Sequence, residues 1–229
     1  MKLVLKVGGH LISSEIKTID SAYLIGLSNV IRELSSEVEK LVVVVGGGKV
    51  AREYLKVLSR INENKSILDL MGIQVTRINA LLLAYCLKGL APYEIPRNLE
   101  ELSSLIAKNT VVVMGGIQPG YSTTAVAALV AENLDADLLL LATDVEGVYD
   151  ADPKVNPNAK MLSKVTIKEL THVLRGYKSL PGTYKLLDLM TIEILRRSRI
   201  PTVIFKGIPP SNIIKAVREG GLGTRIVYS

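Results

Sequence analysis

Sulfur and large aromatic side chains are scarce in this sequence. Its 229 residues include one cysteine, Cys86, one phenylalanine and no tryptophan. A single cysteine excludes a disulfide within the chain, and disulfide-free chains are typical of reducing compartments. Cys86 lies in an apolar helical pattern, which favours a small buried hydrophobic residue over a reactive thiol. The sequence therefore predicts a cytoplasmic protein.

Blocks of like charge are also missing. The net charge is +6, and the charged residues are dispersed along the chain. Without a basic stripe or an aromatic platform for bases, we expect no nucleic-acid partner. A dispersed positive excess suits a small anionic substrate, and it is equally typical of an ordinary solvated surface.

The N-terminus has no targeting signature. Met1–Lys6 leads directly to Gly8 and Gly9, without the apolar core and cleavage site of a signal peptide. Because no long uninterrupted apolar segment follows, we expect no membrane partner. The length and the 48% apolar content are sufficient for one large α/β domain or two lobes that share a sheet.

The stretch from 41 to 54 is the most informative. Leu41–Val45 is short and rich in β-branched residues, which indicates a buried parallel strand. Gly46–Gly48 follow, and Lys49–Leu58 then has an apolar face at helical spacing, with Val50, Ala51, Tyr54, Leu55 and Leu58. A strand, a glycine turn and a helix form the geometry of an anion site. Arg52, one turn into the helix, could add a bidentate contact to a phosphate.

Other interpretations of this stretch remain open. The spacing Gly46-x-Gly48-x-x-Ala51 also matches a dinucleotide fingerprint, with Asp69 about twenty residues further on. It is not a Walker A loop, because no glycine stands four residues before Gly48. A tight turn that binds nothing would have the same composition.

Glycine or acidic turns follow three further predicted strands. Residues 2–7 end in Gly8-Gly9-His10, Thr110–Met114 ends in Gly115-Gly116, and Asp137–Ala142 leads into Thr143–Tyr149. Open α/β sheets bind their ligands at the carboxyl ends of the strands, so we expect these turns to form one site.

Lys6 is the charged residue nearest the first of these turns. An ammonium near the end of a central strand is costly to bury unless an anion meets it. The alternative is a strand lysine whose ammonium reaches solvent at the sheet edge.

The remaining pattern alternates helices and strands. Asp20 and Ser21 predict a helix start, and 67–90 predicts a long apolar helix that is buried or packs against another subunit. Further helices are predicted at 99–107, 125–134, 166–174, 186–198 and 212–218, and a late strand at 201–205.

In order and spacing, these stretches resemble the amino acid kinase superfamily, and within it the archaeal branch of uridylate (UMP) kinases. The resemblance covers essentially the whole chain. Its matching stretches are Lys6–Gly9, Val45–Arg52, Gly72–Ala80, Gly115–Gly120, Thr143–Tyr149, Asp152-Pro153 and Gly223-Thr224.

This resemblance implies a fold and a division of labour. The fold would be a three-layer αβα sandwich around a mostly parallel sheet, in a single domain over 1–229. The half from 1 to 135 would bind the phosphoryl acceptor, and the half from 136 to 229 would bind ATP.

The resemblance also implies site residues. Lys6, Gly9 and Arg52 would take part in catalysis. UMP would be bound by Gly47, Asp69, Ile117, Gln118, Pro119, Gly120, Tyr121, Ser122 and Thr123, with Asp69 on the ribose. ATP would be bound by Gly9, His10, Gly48, Arg52, Thr143, Asp144, Tyr149 and Asp152.

The implied reaction is transfer of the γ-phosphoryl group of ATP to UMP, which gives UDP. The acceptor phosphate is already anionic, so no general base is needed. Mg²⁺ would enter with ATP without dedicated protein ligands, and the implied assembly is a homohexamer built as a trimer of dimers.

The sequence departs from the family pattern at four positions. Thr124 replaces a common aspartate, Glu146 replaces the aspartate of an Asp-Gly turn, His10 replaces a small residue, and Leu189 replaces a proline. The loss of a carboxylate at 124 keeps a non-catalytic nucleotide-binding or storage protein open as an alternative.

Two enzymatic alternatives also remain open. One is a kinase of the same superfamily that acts on isopentenyl phosphate, carbamate or an amino acid, although the acceptor loop lacks the histidine of isopentenyl phosphate kinases. The other is a dehydrogenase that uses the fingerprint at Gly46, which would leave Lys6 without a role.

Overall fold

A computed structural model describes residues 1–13, 16–151, 156–176, 187–218 and 221–228. Its strands are β1 (Lys2–Val7), β2 (Lys40–Val45), β3 (Val111–Met114), β4 (Leu138–Thr143), β5 (Val148–Tyr149), β6 (Met161–Leu162), β7 (Lys164–Thr166), β8 (Thr202–Lys206) and β9 (Thr224–Val227). Its helices are α1 (Gly9–Ile12), α2 (Ser21–Ser35), α3 (Gly48–Leu58), α4 (Lys65–Cys86), α5 (Leu99–Lys108), α6 (Thr123–Leu134), α7 (Ile167–Gly176), α8 (Leu189–Ser198) and α9 (Asn212–Arg218).

Seven strands form one sheet in the order β3-β2-β1-β4-β8-β9-β7. From β3 to β8 all neighbours are parallel, while β8 and β9 pair antiparallel. β5 and β6 form a separate antiparallel pair. The strands β1, β2 and β4 are almost wholly apolar, as expected where helices cover both faces of a parallel sheet.

The two faces of the sheet bury separate apolar clusters. On one face Leu3, Leu5 and Val7 pack with residues of α2, α4 and α9. On the other face Val4 packs with residues of α5, α6 and α8. The predicted three-layer αβα sandwich is therefore confirmed. Since strand side chains alternate, Lys6 shares the face of Val4, toward α6.

The long apolar helix differs from its prediction at both ends. The Asn64 side chain accepts a hydrogen bond from the Ser66 N–H at 3.0 Å and starts α4 at Lys65, earlier than predicted. The helix ends at Cys86, shortly before Lys88 turns to a φ of 50°. Asp69 consequently lies in the second turn of α4. Cys86 is half-buried at the edge of the core cluster.

Among the helices of the described chain, α4 alone is long and apolar enough to cross a membrane. Core helices of globular proteins pass the same test. Here Ala80, Leu83 and Ala84 are fully buried against the sheet. Three of its polar residues, Thr76, Arg77 and the buried Asn79, are hydrogen-bonded to loops at the end of the sheet. One side of α4 therefore belongs to the core, while other apolar residues, such as Ile78 and Tyr85, are exposed.

The apolar face of α3 is only partly buried. Ala51 is buried, whereas Tyr54 is 55% exposed. The cause is position, since α3 lies beyond the end of the sheet and packs on α1 and α4.

The short strands β5, β6, β7 and β9 were not predicted. Each has two to four residues, too few for an alternating pattern to stand out.

Candidate active site

Register brings the carboxyl ends of three strands to one level. Val7 pairs with Val45 on β2 and with Ala142 on β4. The Gly8 N–H donates to the Ala142 carbonyl and the Gly46 N–H donates to the Val7 carbonyl, each at 3.0 Å. The turns that follow these strands are thus tied to each other before any side chain is considered.

The two glycine turns are in direct backbone contact. A Cβ at Gly9 would lie 2.1 Å from the Gly48 nitrogen, and a Cβ at Gly48 would lie 2.3 Å from the Gly9 oxygen. Gly48 also has a φ of 64°, which favours glycine. Both positions therefore require glycine, because the two turns approach each other closely.

The N-terminus of α3 is partly capped and partly open. Ser13 is buried and accepts from the Lys49 N–H through its carbonyl at 3.3 Å and from the Val50 N–H through Oγ at 3.2 Å. Within the described parts of the chain, the N–H groups of Gly47 and Gly48 have no acceptor. An anion at this helix end would receive these two donors and the positive end of the helix dipole.

Four charged or titratable side chains converge beside these amides. Burial lowers the pKa of Lys6 from 10.5 to about 8, and the Asp144 carboxylate partly opposes this shift. Burial also lowers the pKa of His10, an effect that Asp144 opposes and that Lys6 and Arg52 reinforce. His10 Nε2 lies 3.5 Å from Asp144 Oδ1. Lys6, His10, Arg52 and Asp144 therefore share one electrostatic environment.

Lys6 is not matched by a close carboxylate. Among the described residues, none lies within 4.0 Å of its ammonium as an ion pair. Lys6 is half-buried, and its ammonium interacts electrostatically with Asp144 and His10. A half-buried ammonium without a paired carboxylate among the described residues suits a lysine that binds an anion.

Three polar residues of α4 fasten the glycine turns from behind. The Asn79 carboxamide donates to the Gly46 and Gly47 carbonyls at 2.9 and 3.2 Å. The Thr76 hydroxyl accepts from the Gly116 N–H at 2.7 Å. The Arg77 guanidinium donates to the carbonyls of Gly116 and Ile117 at 3.1 and 3.2 Å.

The predicted acceptor segment from Ile117 to Thr123 lies on the α4 side of the site. Asp69 Oδ2 accepts from the Gly120 N–H at 2.8 Å, so these two predicted residues are in contact. Gln118 is exposed, while Ile117 and Tyr121 pack against the apolar cluster under α6. One side of the segment therefore faces solvent and the other is fixed by the core.

Ser122 has a structural role that its predicted function did not include. Its Oγ accepts from the Ala125 N–H at 3.0 Å and so caps α6. Its hydroxyl also donates to Asp188, which itself caps α8 by accepting from the Thr191 N–H at 2.7 Å. Thr123 begins α6, and its Oγ1 lies 3.5 Å from where a Cβ on Gly46 would stand.

The predicted ATP-binding segment leaves β4 on the opposite side. Thr143 Oγ1 donates to Asp144 at 3.2 Å, and Tyr149 is half-buried on β5. Glu146 forms an ion pair with Lys206 at 2.8 Å, which raises the pKa of Lys206. Asp152 lies outside the described residues.

Thr224 fixes the far end of this segment. Its hydroxyl accepts from the Val148 N–H at 2.8 Å and donates to the Leu162 carbonyl at 2.5 Å. Gly223 precedes it with a φ of 75°, and a Cβ there would lie 2.1 Å from the Ile204 oxygen. The Gly223-Thr224 motif therefore positions β5 and β6.

Sequence reasoning assigned no role to Thr76, Arg77, Asn79, Lys206 or Thr224. A signal existed for the α4 residues, since polar side chains on so apolar a helix need partners. Lys206 and Thr224 have partners far away in sequence, Glu146 and Val148, which no local pattern reveals.

The Lys6 environment makes a testable prediction. In nuclear magnetic resonance of protein with isotope-labelled lysine, the Lys6 ammonium should titrate near pH 8, while Lys206 titrates above its usual 10.5 because of its pairing with Glu146. Asp144→Asn removes the charge that favours the ammonium, so the Lys6 pKa should fall further. The signal is assigned by its loss in Lys6→Met. A Lys6 titration at an ordinary lysine value would contradict the buried environment.

Comparison with known proteins agrees with this geometry. Residues 1–206 match the model of the amino acid kinase family. The chain is 40% identical over 227 residues to a uridylate kinase of Sulfurisphaera tokodaii, with 99% of each chain covered. It is 45% identical over 205 residues to a uridylate kinase of Metallosphaera sedula, with 89% of each covered.

A solved structure leads to the same family. The crystal structure of uridylate kinase from Archaeoglobus fulgidus matches with a TM-score of 0.88 at 36% identity, over 99% of this chain and all of that one. UMP kinase from Ureaplasma parvum shares the fold, with a TM-score of 0.81 at 22% identity. The resemblance drawn from the glycine turns and strand ends is therefore confirmed, and the chain belongs to the amino acid kinase family.

Proposed function

We propose that this protein is a uridylate kinase that transfers the γ-phosphoryl group of ATP to UMP. The observation that carries the proposal is the convergence of open backbone amides with the desolvated Lys6 at one end of the sheet, in a chain 36–45% identical to archaeal uridylate kinases. The amides and the ammonium suit the dispersed negative charge of a transferring phosphoryl group.

The two substrates approach from opposite sides of the glycine turns. UMP occupies the side of Asp69 and the 117–123 segment, and ATP occupies the side of Thr143, Asp144 and Tyr149. Support comes from topology, since these segments flank the Gly9 and Gly48 contact. This arrangement supports the proposed division of binding between residues 1–135 and 136–229.

The Lys6 ammonium contacts the phosphoryl group while it is transferred from ATP to UMP. Its strand position fixes the backbone, and the amides of Gly47 and Gly48 supply uncharged donors beside it. Gly9 allows the close approach of the two turns. Arg52, exposed in the second turn of α3, is placed to add a guanidinium to the phosphates.

Asp69 has two functions in this proposal. Its Oδ2 orders the acceptor segment through Gly120, and its second oxygen remains available for a ribose hydroxyl. The exposed position of Asp69 beside a solvent-facing loop is compatible with such a contact.

Mg²⁺ would enter bound to ATP. Among the described residues no cluster of three or more His, Cys, Asp or Glu side chains could form a protein metal site. In this proposal the cation is coordinated mainly by phosphate oxygens and water. Asp144 is exposed beside Lys6 and His10 and would contact the ion through water. When bound, Mg²⁺ neutralises charge on the ATP phosphates.

The alternative activities fit the site less well. In a dehydrogenase the acidic residue after the fingerprint would follow a second strand and bind a ribose. Here Asp69 lies on a helix and accepts from the backbone of the acceptor segment. The acceptor loop also contains no histidine for an isopentenyl phosphate.

We further propose a cytoplasmic homohexamer, a trimer of dimers, for this enzyme.

The first functional test is acceptor choice. With ATP and Mg²⁺ we expect kcat/KM for UMP to exceed that for CMP, AMP or dTMP at least about tenfold, which corresponds to about 1.4 kcal/mol of differential transition-state binding. A panel of nucleoside monophosphates in a coupled assay measures this ratio. Equal kcat/KM values for UMP and for CMP or AMP would contradict the proposed specificity for UMP. No turnover of any acceptor would favour a non-catalytic nucleotide-binding protein.

Asp69→Asn tests the acceptor side. The substitution keeps the size of the side chain but weakens the bond to the Gly120 N–H and any bond to a ribose hydroxyl. We expect KM for UMP to rise about tenfold while KM for ATP stays nearly unchanged. Steady-state kinetics with each substrate varied in turn measures both. Equal rises in the two KM values would indicate a general disturbance of α4 instead.

Lys6→Met tests whether Lys6 acts in the transition state. The substitution keeps the length of the side chain and removes its charge. We expect kcat to fall about 10²–10³-fold, as for loss of one preorganised donor, with much smaller changes in KM. Lys6→Arg should restore little activity, because a planar guanidinium does not replace a point charge in a tight site.

The Lys6 kinetics need a folding control. A melting curve of Lys6→Met should show a fold at least as stable as the original, because an unpaired desolvated ammonium is removed. Near-normal turnover in this folded variant would exclude Lys6 from catalysis.

A further inference from the structure

Asn79 is a buried polar residue whose side chain faces the back of the glycine turn. It lies on α4, and its side chain is only 2% exposed. Its Nδ2 donates to the Gly46 carbonyl at 2.9 Å and the Gly47 carbonyl at 3.2 Å. Both carbonyls are therefore drawn toward α4, away from the open side of the turn.

The planarity of the peptide turns this contact into control of the amides. In a trans peptide the C=O and the following N–H point in opposite directions. The Gly46 carbonyl belongs to the peptide that carries the Gly47 N–H, and the Gly47 carbonyl to the peptide that carries the Gly48 N–H. Fixing these two carbonyls toward α4 directs the two amides away from it.

These are the same two amides that have no acceptor in the described part of the chain. Glycine backbones rotate easily, so the sequence of the turn does not itself fix the direction of its peptides. Asn79 restricts the Gly46 carbonyl, whereas the Gly47 carbonyl is held both by Asn79 and, at 3.3 Å, by the Ala51 N–H of α3. These hydrogen bonds limit the rotation of both peptides before any ligand is bound.

We propose that Asn79 is a positioning residue, which orients the Gly47 and Gly48 amides toward the phosphoryl oxygens. The inference rests on the proposed kinase function, and it assigns the orientation of the donors to a side chain that touches no substrate. Preorganised donors act without reorganisation as charge develops. Loss of the two hydrogen bonds from Asn79 should therefore lower kcat more than it raises KM for UMP.

Asn79→Asp separates this role from simple space filling. A carboxyl buried against two carbonyls has a raised pKa, because its ionised form is desolvated and repelled. Neutral aspartic acid can donate to one carbonyl, whereas aspartate donates to none. We expect kcat to fall about 10–100-fold relative to the original protein at pH 8, and the deficit to shrink several-fold at pH 6.

The matched control is Asn109→Asp. The Asn109 carboxamide also donates to a backbone carbonyl, that of Leu105 at 2.8 Å, but it lies just before β3, at the opposite end of that strand from the glycine turns. Its kcat relative to the original protein should stay the same at both pH values. Melting curves at pH 6 and pH 8 establish that each variant is folded at the assay temperature.

Should Asn79→Asp be unfolded at pH 8, Asn79→Ser provides the second variant. It is neutral and too short to reach both carbonyls, so kcat should fall about tenfold at every pH. A folded Asn79→Asp or Asn79→Ser with the kcat of the original protein at all pH values would overturn the inference.

Amide resonances test the inference without turnover. On addition of ATP, the Gly47 and Gly48 N–H signals of the original protein should shift, and at pH 8 the shifts should be reduced in Asn79→Asp. If the original protein does not phosphorylate UMP but shows these shifts and their loss, the proposed function fails while the role of Asn79 stands. Equal shifts in both proteins would overturn that role.

Discussion

The contact between the backbones of Gly9 and Gly48 is the constraint on which the site depends. The parallel register of β1 and β2 brings both turns to one level, and the space between them admits no Cβ at either position. Because the turns meet backbone to backbone, their peptide groups form the surface of the site. An anion bound there is met by dipoles that carry no net charge and have little freedom to reorganise. This explains why three glycines, and not a cluster of basic side chains, follow the central strand.

Around this contact Asp144 offsets the mutual repulsion of Lys6, His10 and Arg52. Thr124 is 8% exposed, so the position where relatives commonly have an aspartate is closed to solvent here and carries no charge. Asp144, at the end of β4 and with its side chain 65% exposed, supplies the negative charge that acts on Lys6 and His10. A carboxylate at an exposed strand end costs less to desolvate than one under α6. The departure at 124 is therefore compatible with an organised Lys6.

The sequence was sufficient where the determinants are local. Apolar runs located β1, β2 and β4, glycines marked the turns, and Asp20 marked the start of α2, where its carboxylate accepts from the Tyr23 N–H. It was insufficient where partners are distant along the chain. The bonds from Asn79 to Gly46 and from Thr224 to Val148 join residues 33 and 76 positions apart, and only the topology of the sheet brings them together. The exposure of Tyr54 could not be predicted for a related reason, because periodicity defines a helix face but not whether a layer covers it.

The low pKa of Lys6 links the architecture to the chemistry. A fall from 10.5 to about 8 means that the charged form is destabilised by about 3 kcal/mol relative to water. The desolvation that causes this also lowers the local dielectric, so the attraction between the ammonium and an arriving anion is stronger than in solvent. The attraction grows as negative charge gathers on the transferring oxygens, whereas the desolvation has already occurred in the folded protein. The charged form of Lys6 is thus destabilised in the unliganded protein, and its attraction to the phosphoryl oxygens is strongest in the transition state. Both effects follow from the burial of Lys6 at the end of β1.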